Sequence, residues 1–358
     1  MFHLNVNFLV NCLTIVTIYN NLCSSVEIDS NRQWINYKIK YSKSYSNDED
    51  EKRRQLFLNN LETIKYHNDK AARGLESYQL TVNQFTDLED EETPNCSNDF
   101  NQLTEGQQLN SRLKVTQQSG SIVNSSVIDD NRDDDDDDDD LPETVDWRNH
   151  GWISDLRHVK ACNRGGWAFA VVDAIEGQMF NLTGRLTPLS VAALIDCSFG
   201  SNELRGCLNG TVRDGYRYLI NNLGLPREKD YPFTGYRREC FHYGLSMVNA
   251  TIKGYRRVEP TEKALKRAVA TVGPISTMMD GAGNFRLYSS GIFNDLECGT
   301  RDLFHGVTIV GYGRDENKDY WLVRNNIGPS WGEFGYIRIQ RNLNNLCGLA
   351  TNAYYPIV

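Results

Sequence analysis

The order of apolar and polar positions divides the chain into a helical front, a patternless middle and a back half that passes from helical to strand spacing. Residues 29–68 have the pattern of a charged helical hairpin. Trp34, Tyr37, Ile39 and Tyr41 supply the apolar positions of the first arm, and Asn47-Asp48 give the second arm good N-cap residues. Along that second arm Glu49, Arg53, Leu56, Phe57, Asn60, Ile64 and Asn68 recur at spacings that gather them near one face. Residues 88–140 lose the rhythm: Asn, Ser, Gln, Asp and Glu dominate, and the stretch ends in the unbroken run Asp133 to Asp140. Such a stretch cannot fold on itself and is expected to be an extended, solvated linker. Trp167 to Phe180 is apolar nearly all round, as in a helix buried between layers. Leu189 to Cys197 predicts a shorter helix with Ser190 near its start. After Gly224-Leu225-Pro226 and Asp230-Tyr231-Pro232 the spacing predicts strands at 246–258, 273–279, 305–311, 320–324 and 336–340. Helices followed by strands imply an α+β fold with two lobes and a cleft between them.

Composition narrows the class. A chain of 358 residues allows about two domains, and 40% hydrophobic residues supply a core. The apolar run from Phe8 to Tyr19, followed by Cys23-Ser24-Ser25, reads as a secretory signal peptide over 1–25, with a buried N-terminal helix as the bland alternative. No later run approaches the roughly 20 apolar residues of a membrane span. Of nine cysteines, Cys12 and Cys23 fall in that signal, Cys96 lies between, and six follow from Cys162 onward. An even set in an exported domain suggests three disulfides, whose pairing the sequence alone does not choose. Asn95, Asn124, Asn181, Asn209 and Asn249 head glycosylation sequons. Residues 1–140 carry 13 Lys/Arg against 26 Asp/Glu, and residues 141–358 carry 25 against 21, so the two parts should attract each other. No basic stripe suggests nucleic acid. The aspartate run could make loose calcium or mineral contacts, although no EF-hand spacing supports tight binding.

The motifs themselves are more specific. The face Glu49-x3-Arg53-x2-Leu56-Phe57-x2-Asn60-x3-Ile64-x3-Asn68, followed by Asn83-x-Phe85-x-Asp87, resembles the two signatures of cathepsin-L-type propeptides. Leu141 to Arg148, then Val159-Lys160-Ala161-Cys162-Asn163-Arg164-Gly165-Gly166-Trp167-Ala168-Phe169-Ala170, resembles the start and the active-site segment of papain-like cysteine proteases. The resemblance covers essentially all of 141–358. It implies a papain-like two-lobed fold, with a helical lobe at about 150–250 and a β-barrel lobe at about 251–358. A helical inhibitory propeptide at 26–87 and the acidic linker at 88–140 would precede it. It also implies the bridges Cys162–Cys207, Cys197–Cys240 and Cys298–Cys347, which leave no thiol over in this domain.

Cysteine proteolysis needs a thiolate, a histidine to take its proton, a group to orient that histidine and donors for the oxyanion. By the resemblance His305 matches the base and Asn325 the orienting amide. Gly166 stands where the family has its nucleophile, Ile327 where a shielding Trp belongs, and the stretch before Cys162 offers no oxyanion Gln. In the cleft Gly210 keeps one of two family glycines, Asn209 replaces the other, and Met278 and Phe304 reshape the primary side-chain pocket. These departures imply a catalytically inactive homologue, secreted or lysosomal and monomeric, with neither cofactor nor metal. Its expected partners are its own propeptide and, through the remnant cleft, peptides, cystatin-like inhibitors or active paralogues. Two other classes stay open: a peptidase using Cys162 as a displaced thiol, which would leave Cys207 unpaired, and an extracellular protein contacting mineral through its aspartates.

Family members mature by cutting their own prosegment in acid, when its carboxylates protonate and its grip on the enzyme loosens. A chain without a nucleophile is released but not cut. The purified protein, lacking only the signal, should therefore remain full length by mass after overnight incubation at pH 4. An added active cathepsin should cut it within 88–140. Self-conversion to a species beginning near Leu141 would contradict this.

Overall fold

The computed structural model describes residues 29–89, 92, 141–201, 204–222, 224–241, 244–248 and 252–358. The signal expected at 1–25, most of the acidic linker with Cys96 and the aspartate run, and the sequons at Asn95, Asn124 and Asn249 lie outside the described residues. The chain divides into two compact units, one of residues up to Tyr66 plus Val82–Leu88, the other of His67–Thr81 and Glu89–Val358.

The first unit is built on helix α1 (residues 29–41) and the greater part of α2 (Asn47–Ala72). Three of the four apolar positions of the first arm meet the second as expected, with Trp34, Tyr37 and Phe57 buried together and Tyr41, Tyr45, Leu58 and Leu61 around them, whereas Ile39 is 73% exposed. Asp87 is the polar anchor. Its fully buried carboxylate accepts hydrogen bonds from Tyr37 Oη (2.8 Å), Lys43 Nζ (2.9 Å) and Tyr45 Oη. Burial, with the Asp87 charge beside them, raises both tyrosine pKa values. Arg53 reaches back one turn to Glu49, and Asn60 Nδ2 donates to Thr86 O at 2.7 Å. The helical face read from the sequence therefore points at residues 83–87.

In the second unit Asn68, on the last turns of α2, clasps the backbone of Leu80 through its amide, donating to O (2.8 Å) and accepting from N–H (2.9 Å). Leu80 ends β1 (Tyr78–Leu80), which pairs antiparallel with β7 (Tyr288–Phe293). The chain then runs through β2 (Val145–Asp146), α3 (Gly166–Thr183), α4 (Val191–Cys197), α5 (Val212–Ile220), the short pair β3 (Leu225–Pro226) and β4 (Met247–Val248), β5 (Gly254–Arg257) and α6 (Glu262–Thr271). It ends in β6 (Ile275–Met279), β7, β8 (His305–Asp315), β9 (Lys318–Arg324), β10 (Tyr336–Gln340) and β11 (Tyr354–Ile357). Ser190 caps α4, its hydroxyl accepting from Ala193 N–H, as its place before an apolar run predicts.

The large sheet runs β1-β7-β10-β9-β8-β6-β11-β5, with β2 against β8. The expected barrel does not close: among the described residues β7 gives its outer edge to β1, and β5 pairs only with β11. The α+β class stands, with the strand lobe an open sheet. Every residue of α3 from Gly166 to Gln178 is buried, which explains its all-round apolarity. Its two acids are compensated. Asp173 pairs with Arg324 (Nε to Oδ2 3.0 Å), and Glu176 takes bonds from Arg157, Ser154 Oγ (2.7 Å) and Leu189 N–H (2.6 Å). Burial raises the Glu176 pKa. Disulfides join Cys162–Cys207, Cys197–Cys240 and Cys298–Cys347.

One residue is strained. Phe334 has φ 54° and is 82% exposed, in a turn between Gly332 and Gly335 that also takes positive φ. Left-handed backbone costs a bulky L-residue about 1–2 kcal/mol, and glycine's extra freedom in the unfolded chain returns roughly half of that. Phe334→Gly should therefore raise unfolding stability in urea by about 1 kcal/mol. A fall would mean that the ring has a folded-state contact outweighing the strain.

Candidate active site

The site forms where the first residue of β8, the residues after β9 and the first turn of α3 converge. His305 opens β8 and is fully buried. Its Nε2 lies 2.8 Å from Asn325 Oδ1, just beyond the end of β9. The same oxygen accepts from Asn326 N–H at 2.8 Å, which fixes the orientation of the Asn325 amide. Nε2 therefore carries the proton and donates, and Nδ1 is left as an acceptor. Nδ1 is buried and has no hydrogen-bond partner among the described residues.

The surroundings keep the ring dry. Phe285 meets it edge-on with centroids 5.4 Å apart, and Trp331 packs on Phe285 while its indole N–H donates to the carbonyls of Phe285 and Arg286. Ile327 is buried, and bridges as a single β-pair to His158 on the segment before α3. Burial pushes the His305 imidazole down to about 4, opposed in part by the hydrogen bond to Asn325.

Gly166 is the first residue of α3, backed by Gly306 of β8. A side chain on Gly306 would strike Trp167 N at 2.4 Å, so backbone meets backbone here. On Gly166 itself a Cβ would lie 3.0 Å from Asn326 Nδ2 and 3.0 Å from Gly306 O. Gly210 is held to glycine by Trp167, whose ring would sit 2.4 Å from any Cβ there. Trp167 Nε1 in turn donates to Gly206 O at 3.1 Å. Asn209 folds its Oδ1 onto Gly210 N–H (2.9 Å) and is half-buried.

Met278 is buried on β6 directly opposite Gly306, whereas Phe304 is 36% exposed in the loop before β8. In the segment before Cys162, Lys160 takes φ 52° and lays its side chain on Gly235, and Val159 N–H donates to Asn326 O at 2.7 Å. Cys162 is fully buried in its disulfide. The structure thus brings Gly166, His305 and Asn325 to one place, sets Met278 opposite Gly306, and puts Gly210, with Asn209 bonded to it, against the Trp167 ring. Sequence reasoning missed Asn326, Phe285 and Trp331. The doubled amide Asn325-Asn326 was the available signal for the first; nothing marked Phe285.

Comparison with known proteins identifies the family of the chain. Residues 141–357 match the family described as papain family cysteine protease, and residues 34–93 match the cathepsin propeptide inhibitor domain (I29). The chain is 36% identical over 332 residues to cathepsin L of Sarcophaga peregrina, covering 91% of this chain and 92% of that one. Cathepsin L2 of Homo sapiens is 36% identical over 333 residues, with 91% and 92% covered. Among solved structures, digestive procathepsin L 3 from Tenebrio molitor larval midgut superposes with a TM-score of 0.74 at 32% identity, covering 92% of this chain and 99% of that one.

The low pKa of His305 links the site to stability. The unfolded chain takes up a proton near the ordinary imidazole value of 6.5, and the folded chain refuses it until about 4. Stability supplied by the neutral imidazole is therefore complete above pH 6.5 and is lost as the pH falls through 4. The loss amounts to about 3 kcal/mol. In urea titrations at pH 7 and pH 4, His305→Gln should lose less stability between the two pH values than the unaltered chain, by about that amount. Equal losses would place the acid sensitivity elsewhere.

Proposed function

The chain belongs to the papain family of cysteine proteases, in its cathepsin-L-like branch with an I29 propeptide, and from that premise we propose that it is a pseudoprotease: a proprotein that keeps the peptidase scaffold and cleft without the hydrolysis. The observation that carries the reading is Gly166 at the start of α3. That is the position where the family's thiol would draw on the helix N-terminus and on His305. Glycine has nothing to ionise or to attack with. His305 agrees, since a pKa pushed down to about 4 is that of a neutral imidazole with no anion beside it. The segment before Cys162 offers no glutamine for the oxyanion. The displaced-thiol alternative has no support, because Cys162 is locked to Cys207.

What remains is a surface for extended peptide beside Gly210, reshaped by Asn209, Met278 and Phe304, and suited to holding peptides, protein inhibitors or active relatives without cutting them. On this reading residues 1–25 are the signal, 26–87 the inhibitory domain, 88–140 the linker and 141–358 the peptidase-like domain. Three disulfides fit an exported or lysosomal location. Removing a covalent nucleophile lowers turnover on the order of a millionfold. The protein, freed of its prosegment by an added protease that is then removed, should therefore show no turnover of Phe-Arg fluorogenic peptides between pH 4 and 8. It should also take no label from a thiol-reactive peptide epoxide. Turnover that such an epoxide abolishes would overturn the proposal.

A further inference from the structure

Three segments meet at the front of α3, and Asn326 bonds to each of the other two and to its own neighbour. Its C=O accepts from Val159 N–H (2.7 Å), its N–H donates to Asn325 Oδ1 (2.8 Å), and its Nδ2 donates to Gly306 O (2.7 Å). The residue is buried. A Cβ on Gly166 would stand 3.0 Å from both ends of that last hydrogen bond and 3.4 Å from Asn326 Oδ1, where ordinary contacts begin only at 3.4 Å. The amide cannot retreat freely. Its nitrogen is held by Gly306, and its backbone is pinned on one side to Val159 and on the other to the oxygen that orients His305.

From this we infer that Asn326 takes up the side-chain space that glycine leaves at 166, so that the site is closed by a matched pair of residues. Asn326 is a positioning residue: it seals β8 to the front of α3, and through Asn325 it holds the imidazole. The inference deepens the proposed loss of hydrolysis and rests on that reading for its functional meaning, while its physical content stands on the contacts alone. It follows that returning a thiol to position 166 forces that thiol's Cβ against a fixed amide. A shorter residue at 326 must accompany it before the sulfur can sit freely beside His305.

A two-by-two set of variants tests the pair. Gly166→Ala adds only the Cβ, and whatever alanine gives to helix propensity is the same in both backgrounds and cancels. In thermal melts of the full chain, Gly166→Ala should lower Tm in the Asn326 background at least twice as far as it does in the Asn326→Ser background. Equal drops would overturn the inference. The second measurement is alkylation of Gly166→Cys by iodoacetamide at pH 6, read at residue 166 by peptide mass so that other cysteines do not interfere. Adding Asn326→Ser should speed it at least tenfold, and an unchanged or slower rate would again overturn the pairing. Should the cysteine variant fail to fold, the alanine cycle decides alone. Peptide hydrolysis by the unaltered chain would defeat the pseudoprotease reading without altering the outcome of that cycle.

Discussion

The peptidase-like domain depends on how closely two backbones approach. Gly306, the second residue of β8, lies directly against the peptide of Gly166 and Trp167, with no room for a carbon atom between. That contact sets the depth at which α3 sinks onto the sheet and brings the buried face of the helix onto β8. It also places His305, one residue earlier, beside the helix N-terminus. Around it the polar groups follow as compensation. Asp173 and Glu176, carried into the interior by α3, are met by Arg324 and Arg157 because an unpaired buried carboxylate would cost several kcal/mol. The depth of the helix and its pairing with these arginines are therefore parts of one packing solution.

The same closeness explains the electrostatics of the site. A histidine shut away from water keeps a proton only when an anion shares its surroundings. Phe285 and Trp331 form the dry wall, and Asn325 offers a neutral oxygen. Burial outweighs the Asn325 hydrogen bond and holds the imidazole's pKa low. What stands there is a hydrogen-bonded chain of neutral groups from His305 through Asn325 to Asn326.

Much of this was legible in the chain itself. The hairpin core of Trp34, Tyr37 and Phe57, the burial of α3 from Gly166 to Gln178 and the cap at Ser190 each follow from local spacing, and local spacing is what a sequence displays most directly. His305 and Asn325 were found through the motifs around them. The failures have a common cause. The open sheet turns on β1 joining β7 across more than two hundred residues, a pairing to which no neighbouring residue testifies. Asn326 matters because of the space at Gly166 and the carbonyl at Gly306, which come from three distant segments. Phe334 hides for another reason: phenylalanine does not advertise a left-handed turn, as glycine or asparagine would.

The pairing of β1 with β7 has a consequence for the life of the molecule. An edge strand left bare displays a row of N–H and C=O groups that any other extended chain can match, and proteins guard such rows against unwanted annealing. Here the guard is a stretch of the same polypeptide, clamped by the Asn68 amide at Leu80 and by Ser77 Oγ at Ile292 O. While β1 stays paired that margin is covered, and in that sense the strand serves as a hem.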